Sequence, residues 1–418
     1  MAQGIGVTAV PSSEMREGWR IVAVGFALLL LMFGTRLSFG LYIKPMAEHL
    51  GTTRASISGS QSVYMLTYAL FALVAGSLAD RYGPRRILAV GALFMGLGMW
   101  LASQTSAVWH YYLAYGVLVA IGSGSMYVPV SGAVSKTFTR QRNFAVGITA
   151  SGSGVGQYLI PPFMQRVVEA EGWQTAFLYT AVLVLAVGVA LPLLLLRGKG
   201  VAGDRTKASA SEGTPQRHYT LRQALRTVPF WTYFGMYFII CFVMDGVIFV
   251  HIYPYLTDLG FEGQTAAKAL GYLGLISTVT MIAFGPLGDR FNKRLLLTGL
   301  LAVHTLLIFW LIHLKGNLGL WSFVVLYGVL LGVAWPLTVS ILAEIFGSQS
   351  VSSILGACTL AFGLAGLVAP WMAGYVFDLY KSYHPVFYFT IALSALSVVC
   401  TYYTRKTHGM IAREGEVA

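Results

Sequence analysis

Apolar runs, each about 20 residues long, recur along the whole chain and are separated by polar stretches dense in Lys, Arg and Gly. A helix rises 1.5 Å per residue, so every run is long enough to cross a hydrocarbon core about 30 Å thick. The runs fall near residues 19–42, 56–79, 87–104, 109–134, 144–167, 174–196, 229–256, 266–288, 295–313, 318–343, 350–377 and 385–403. They predict twelve spanning helices. The period-2 alternation of an outer-membrane barrel is missing. The predicted fold class is therefore an all-α membrane protein.

Composition agrees. Of 418 residues, 56% are hydrophobic and 11% are charged, against roughly 25% charged in soluble domains. The formal charge of +12 would suit a nucleic-acid binder, but its distribution excludes that partner. Of the 28 Lys and Arg, 21 fall in the two termini and every second loop, six at the opposite face and one, Arg36, inside a span. This is the positive-inside bias, and it predicts cytoplasmic termini in a multi-pass protein of the cell membrane. The first 18 residues contain no short apolar region ending in a cleavage site, so no removable signal peptide is expected. Cys241, Cys358 and Cys400 all lie in apolar runs, which is neither a disulfide framework nor a metal spacing. They read as packing residues.

The longest non-apolar stretch, 197–226, is rich in Gly, Ser and basic residues. It predicts a flexible cytoplasmic linker over 197–228 between an N-terminal bundle (1–196) and a C-terminal bundle (229–418) with a short tail. Its end, "TLRQALRTVP", predicts a short surface helix with Thr220 as cap. The two halves repeat each other at an offset of 209 residues. "GSLADRYGPRR" from Gly76 returns as "GPLGDRFNKR" from Gly285, Pro45 as Pro254, and Gly147, Gly154 and Pro161 as Gly356, Gly363 and Pro370. So many matches in one register indicate duplication. Parallel six-helix repeats around a midplane site describe a secondary transporter.

The two loop motifs resemble the signature of the major facilitator superfamily, which implies two six-helix bundles rocking about a central site. "RLSFGLYIKPM" (36–46), "AYGVLVAIGSGSMYVPVSG" (114–132), "RQRNFAVGITASGSGVG" (140–156) and "GWQTAF" (172–177) further resemble the monocarboxylate-transporter-like branch, which includes oxalate/formate antiporters. Small organic anions, often moved with a proton, are the implied cargo. Many members of that branch resemble each other in an Asp and an Arg within helix 8. Here "LISTVTMIAFGPLG" (275–288) carries no charge.

Arg36 and Asp245 are the two ionised residues placed deep within spans, and they are related by the same offset of 209. Each charge at mid-membrane costs about 2.5–3.5 kcal/mol, so such groups are paired or face a wet cavity. The functional expectation is that Arg36 binds a substrate carboxylate through its planar fork and that Asp245 carries the coupling proton. The alternative is a permanent bridge that only joins the halves. Gln61, Tyr64 and Tyr68 follow helical spacing on one face, a cavity wall or a packing seam. Tyr127, Gln157 with Tyr158, and Trp335 complete the candidate substrate-binding set. His251 stands about 600° of helix rotation from Asp245 and reads as structural. Glu344 reads as a partner for basic loop residues.

Asp80, Arg81, Arg85 and Arg86, with Asp289, Arg290 and Arg294, lie at span ends. They read as topology anchors, as a turn forced by Gly83, or, by the resemblance, as gating residues that hold the cytoplasmic side closed. "GITASGSGVGQ" (147–157) lacks the Lys-Ser/Thr of a P-loop and follows no strand, so close helix packing is its expected role. No catalytic motif or metal spacing is present, so neither an enzyme nor an ATP-driven pump is expected. The prediction is a proton-coupled symporter of small organic anions that needs no cofactor beyond the proton and is sufficient as a monomer in the lipid bilayer. The alternatives are an antiporter or exporter of amphipathic or neutral solutes, and a non-transporting receptor on the same fold.

Overall fold

The computed structural model describes residues 12–138, 142–196, 221–284, 292–346 and 351–399. Twelve long helical units account for nearly all of them. α1 is Ser12–Leu37, continued after a break by Phe39–His49. α2 is Arg54–Tyr82, α3 Pro84–Ser103, and α4 runs from Val108 to Thr137 through a π-helical stretch at Tyr112–Val119 and a break before Tyr127. α5 is Arg142–Glu171 and α6 runs from Trp173 to Leu195. After a single turn, Leu221–Ala224, α7 runs from Val228 to Asp258. α8 is Gly263–Phe284, α9 Lys293–Ile312, α10 Gly316–Phe346, α11 Val351–Tyr380 and α12 His384–Val399. Ten of these helices contain stretches long and apolar enough to cross a membrane. α5 and the shorter α12 complete the twelve. Thr220 and most of the expected linker lie outside the described residues.

The boundaries follow from local chemistry. Gly83 sits at φ 84°, a left-handed conformation that a side chain would strain, and Pro84 then opens α3 with its φ already suited to a first helical turn. Thr53 caps α2 by accepting from the backbone N–H of Ser56, and Asn292 caps α9 by accepting from that of Leu295. α1 extends seven residues past its expected end at 42, to His49.

The glycine-rich segment of α5 is helix, not loop. Its small residues let α5 run against α1, where a Cβ on Gly156 would meet the backbone of Leu30. Replacing Gly156 with Val is expected to cost about 1–3 kcal/mol through overpacking. The purified protein should melt several degrees lower in a fluorescence-detected thermal ramp. Gly147→Ala, where the added methyl meets nothing within 4 Å, is the control and should melt like the parent.

The helices form two six-helix bundles, α1–α6 and α7–α12. Residues 12, 196, 221 and 399 share one face, here the terminal face. The bundles meet along three pairs of helices: α1 with α7, α2 with α11, and α5 with α8. Their close contacts concentrate between mid-depth and the far face. Gly40 packs on the carbonyl of Val250, Gly363, Gly366 and Gly374 pack on Ala69, Met65 and Ala55, and Gly271 and Gly274 pack on Tyr158 and Gln157. Tyr127, in the second half of α4, keeps 43% of its surface exposed.

Candidate functional site

Both charges sit where their helices depart from regular geometry. Arg36 lies in the last turn before the break at Ser38, whose hydroxyl donates to the carbonyl of Gly34 at 2.9 Å. Asp245 lies in the π-helical turns Phe242–Ile248 of α7. Such wide turns are frequent at functional positions, because they re-aim a side chain and leave backbone groups less tightly paired. Here they bring Arg36 Nη2 to 2.8 Å from Asp245 Oδ1. The pair joins the two bundles at mid-depth, with side chains 16% and 9% exposed.

The pair is held by one hydrogen bond. A guanidinium has five N–H donors and a carboxylate about four acceptor positions. Among the described residues Arg36 donates only to Asp245, and the buried Asp245 Oδ2 has no hydrogen-bond partner. Neither ion is saturated, and the Arg36 side chain keeps open surface. A bridge serving only to join two bundles gains stability in proportion to how completely it is satisfied. This one leaves most of its capacity free.

Aromatic side chains enclose the pair. The Arg36 guanidinium lies 5.2 Å from the centroid of the Phe362 ring. Phe362 meets Tyr68 edge to face at 6.0 Å, Tyr68 stacks on Tyr64 at 6.1 Å, and Tyr64 stacks on Tyr115 at 5.2 Å. Phe33 meets Tyr127 edge to face at 6.3 Å, and both stand on the terminal side of the pair.

The sequence-predicted residues divide on this geometry. Arg36, Asp245, Tyr64 and Tyr68 come together at one level, and Tyr127 packs against Phe33 on its terminal side. Gln61 is buried, with its side-chain carbonyl accepting from the Tyr115 hydroxyl at 2.9 Å. It holds a neighbouring ring of its own bundle. Gln157 and Tyr158 lie on the α5–α8 seam, where Tyr158 packs on Tyr272. The side chains of Trp335, Asp80 and Arg294, and all of Asp289 and Arg290, lie outside the described residues. Arg81 lies over Tyr82, and Arg85 Nη2 donates to the carbonyl of Leu193 within its own bundle at 2.7 Å. Glu344 accepts from Lys293 at 3.3 Å, also within one bundle. His251 is fully buried between the Tyr383 hydroxyl (3.2 Å) and the carbonyl of Pro370 (2.9 Å), the structural role its helix position predicts.

Two clusters escaped sequence reasoning. The first fastens the far face. Asp258 of α7 accepts from Lys44 at 2.7 Å and from both Arg54 Nη1 and Nη2, at 2.6 and 3.1 Å. Arg54 also lies 3.7 Å from the centroid of the Phe377 ring. Asp378 of α11 accepts from the backbone N–H groups of Arg54 and Ala55 at 3.2 and 2.8 Å, so it caps α2 from the opposite bundle. Beside these, Tyr253 donates to Gln165 at 2.7 Å, and Gln165 donates to Glu169. The repeat register held a signal, because 169 plus 209 is 378: both acids close corresponding helices. The second cluster joins His304, Tyr327 and Ser394 inside the C-terminal bundle. Isolated polar residues in separate apolar runs gave no sign that they meet.

Among the described residues no group of His, Cys, Asp and Glu is arranged to hold a metal ion. Among curated proteins, monocarboxylate transporter 13 of Bos taurus is 26% identical over 374 residues, covering 88% of this chain and 84% of its own. Monocarboxylate transporter 11 of Mus musculus is 27% identical, with 86% and 81% covered. The MFS-type transporter YcxA of Bacillus subtilis is 26% identical, with 92% and 94% covered. Among solved structures, a bacterial homolog of the human lysosomal transporter Spinster, inward-facing and unoccupied, superposes with a TM-score of 0.68. It shares 15% identity, over 95% of this chain and 97% of that one, a likeness of fold. Residues 24–337 match the family itself, and with twelve helices in two bundles around a midplane ion pair, the chain belongs to the Major Facilitator Superfamily of membrane transporters.

Proposed function

We propose that this transporter is a symporter of small organic monocarboxylates and protons, working by alternating access in the cell membrane with its termini in the cytoplasm. The observation that carries the reading is the unsaturated Arg36–Asp245 pair at the meeting level of the two bundles. The similarity to monocarboxylate transporters supports it.

The coupling follows from charge. In the empty carrier, Arg36 and Asp245 neutralise each other. A substrate carboxylate that takes the guanidinium leaves the site with a net negative charge, which is costly at mid-membrane. A proton on Asp245 restores neutrality and gives the buried carboxyl a donor. The empty and fully loaded sites are therefore both neutral, and the half-loaded site is not. Rocking is cheap in the two neutral states, so anion and proton travel together. Arg36 binds and orients the anion, Asp245 holds the proton, and the surrounding rings exclude water.

The test is uptake into proteoliposomes with an imposed inward proton gradient, screening lactate, pyruvate, acetate, oxalate and aromatic monocarboxylates. The expected result is gradient-driven accumulation of at least one acid by the parent. Asp245→Asn, whose site is neutral when the anion is bound and keeps the bare Arg36 charge when empty, should exchange that acid across the membrane yet accumulate it no better than empty liposomes. Accumulation by the Asn variant equal to the parent's would sink the proton assignment. An absence of acid uptake altogether would favour an exporter or antiporter of other solutes, with the pair as a bridge.

A further inference from the structure

We propose that the site prefers monocarboxylates bearing a ring-sized apolar group, and that Phe362 and Tyr68 are the residues that set this preference. The proposal rests on the carboxylate reading above and adds what the rest of the substrate must be.

A carboxylate held by the free edge of Arg36 lies in the plane of the guanidinium. The guanidinium carbon lies over the Phe362 ring, 5.2 Å from its centroid. The Phe362 ring stands edge to face with Tyr68, 6.0 Å away and inclined at 66°. Tyr68 ends a ladder of near-parallel rings through Tyr64 to Tyr115. At that separation the two rings touch each other, so they form one continuous aromatic wall beside Arg36. Phe362 belongs to α11 and Tyr68 to α2, so the wall is built by both bundles. An apolar group attached to the carboxylate and laid against this wall touches both halves of the carrier at their meeting level.

The same geometry disfavours a second charge. Aromatic faces carry negative potential, so they disfavour a second carboxylate laid against them. A dicarboxylate would bury its second anion with one cation already spent. A very small acid such as acetate would satisfy Arg36 and leave the ring faces without a partner. Filling them removes apolar surface from water and adds ring contacts, enough for about tenfold in affinity.

The experiment is isothermal titration calorimetry on the purified full-length protein with acetate, benzoate, phenylacetate and phthalate, the last adding one carboxylate to benzoate. The parent is expected to bind benzoate or phenylacetate about tenfold tighter than acetate, and phthalate more weakly than benzoate. Phe362→Leu keeps apolar bulk and removes the ring, and Tyr68→Leu does the same in the other bundle. Each should bring the benzoate-to-acetate ratio to within about threefold of unity while acetate affinity changes less than the ratio does. Equal affinity for acetate and benzoate in the parent, phthalate binding as tightly as benzoate, or an unchanged ratio in both Leu variants overturns the proposal. Binding of none of the four acids overturns it together with the carboxylate reading, whereas binding without discrimination overturns the preference alone.

Discussion

Arg36→Ala is expected to abolish saturable carboxylate binding, weakening it about a hundredfold, and to reduce uptake to the background of empty liposomes. Removing one partner of a buried, hydrogen-bonded charge pair costs about 2–5 kcal/mol, or roughly 30- to several-thousand-fold. Arg36→Lys keeps the charge and loses the fork, so it should bind between the two. Ala alone leaves Asp245 buried without its cation, and instability is the trivial explanation to exclude. The double variant Arg36→Ala/Asp245→Asn removes both ions and supplies the missing control. It should melt closer to the parent than Arg36→Ala does and still fail to bind acids. Restored transport in the double variant would mean that the pair acts only as a bridge. Calorimetry and thermal melting on the same preparations separate the outcomes.

The second large effect is expected at the far face. Asp258 alone receives both Lys44 and Arg54, so Asp258→Asn unfastens two cations of the N-terminal bundle at once. The three side chains keep between 15% and 29% exposure, which makes each pair modest. The Arg54 contact uses both terminal nitrogens, however, and shares its acceptor in a small network. About 1–2 kcal/mol is a reasonable sum, which moves a two-state conformational equilibrium about 5- to 30-fold. Spin labels on Thr52→Cys and Glu262→Cys, in far-face turns of opposite bundles, would report it by double electron–electron resonance in a background without the native cysteines. The expected result is a new population at longer distance in Asp258→Asn. An unchanged distance distribution would show that backbone capping by Asp378 and the packing of Gly374 on Ala55 hold the face closed without the ion pairs.

Much of this architecture was legible in the sequence because a membrane imposes length and polarity limits that few patterns satisfy. The twelve runs became twelve helices, and the repeat offset named Asp245 as the counterpart of Arg36 before any contact was visible. A charge in oil is informative because it is expensive. The far-face fastener was not legible for the complementary reason. Lys44, Arg54 and Asp258 lie at span ends, where charges are cheap and ordinarily mark topology. The spacing of Gln61 left a cavity wall and a packing seam both open, because helical spacing assigns a face and cannot say what the face meets; here it meets Tyr115 of the same bundle. The π-helical turns around Asp245 also leave no periodicity signal, since one widened turn inside an apolar run keeps the run apolar.

The opposite charges at equivalent positions date the site within the history of the chain. Two copies of a single six-helix ancestor, related by a two-fold axis, would place identical residues opposite each other. Arginine would have faced arginine, or aspartate faced aspartate, and two like charges buried at mid-membrane repel. A complementary pair at positions 36 and 245 became possible only when the halves were encoded separately and each was free to change alone. The scaffold is a symmetric inheritance. The ion pair at its centre is a property of the fused chain, acquired after the symmetry had ceased to be compulsory.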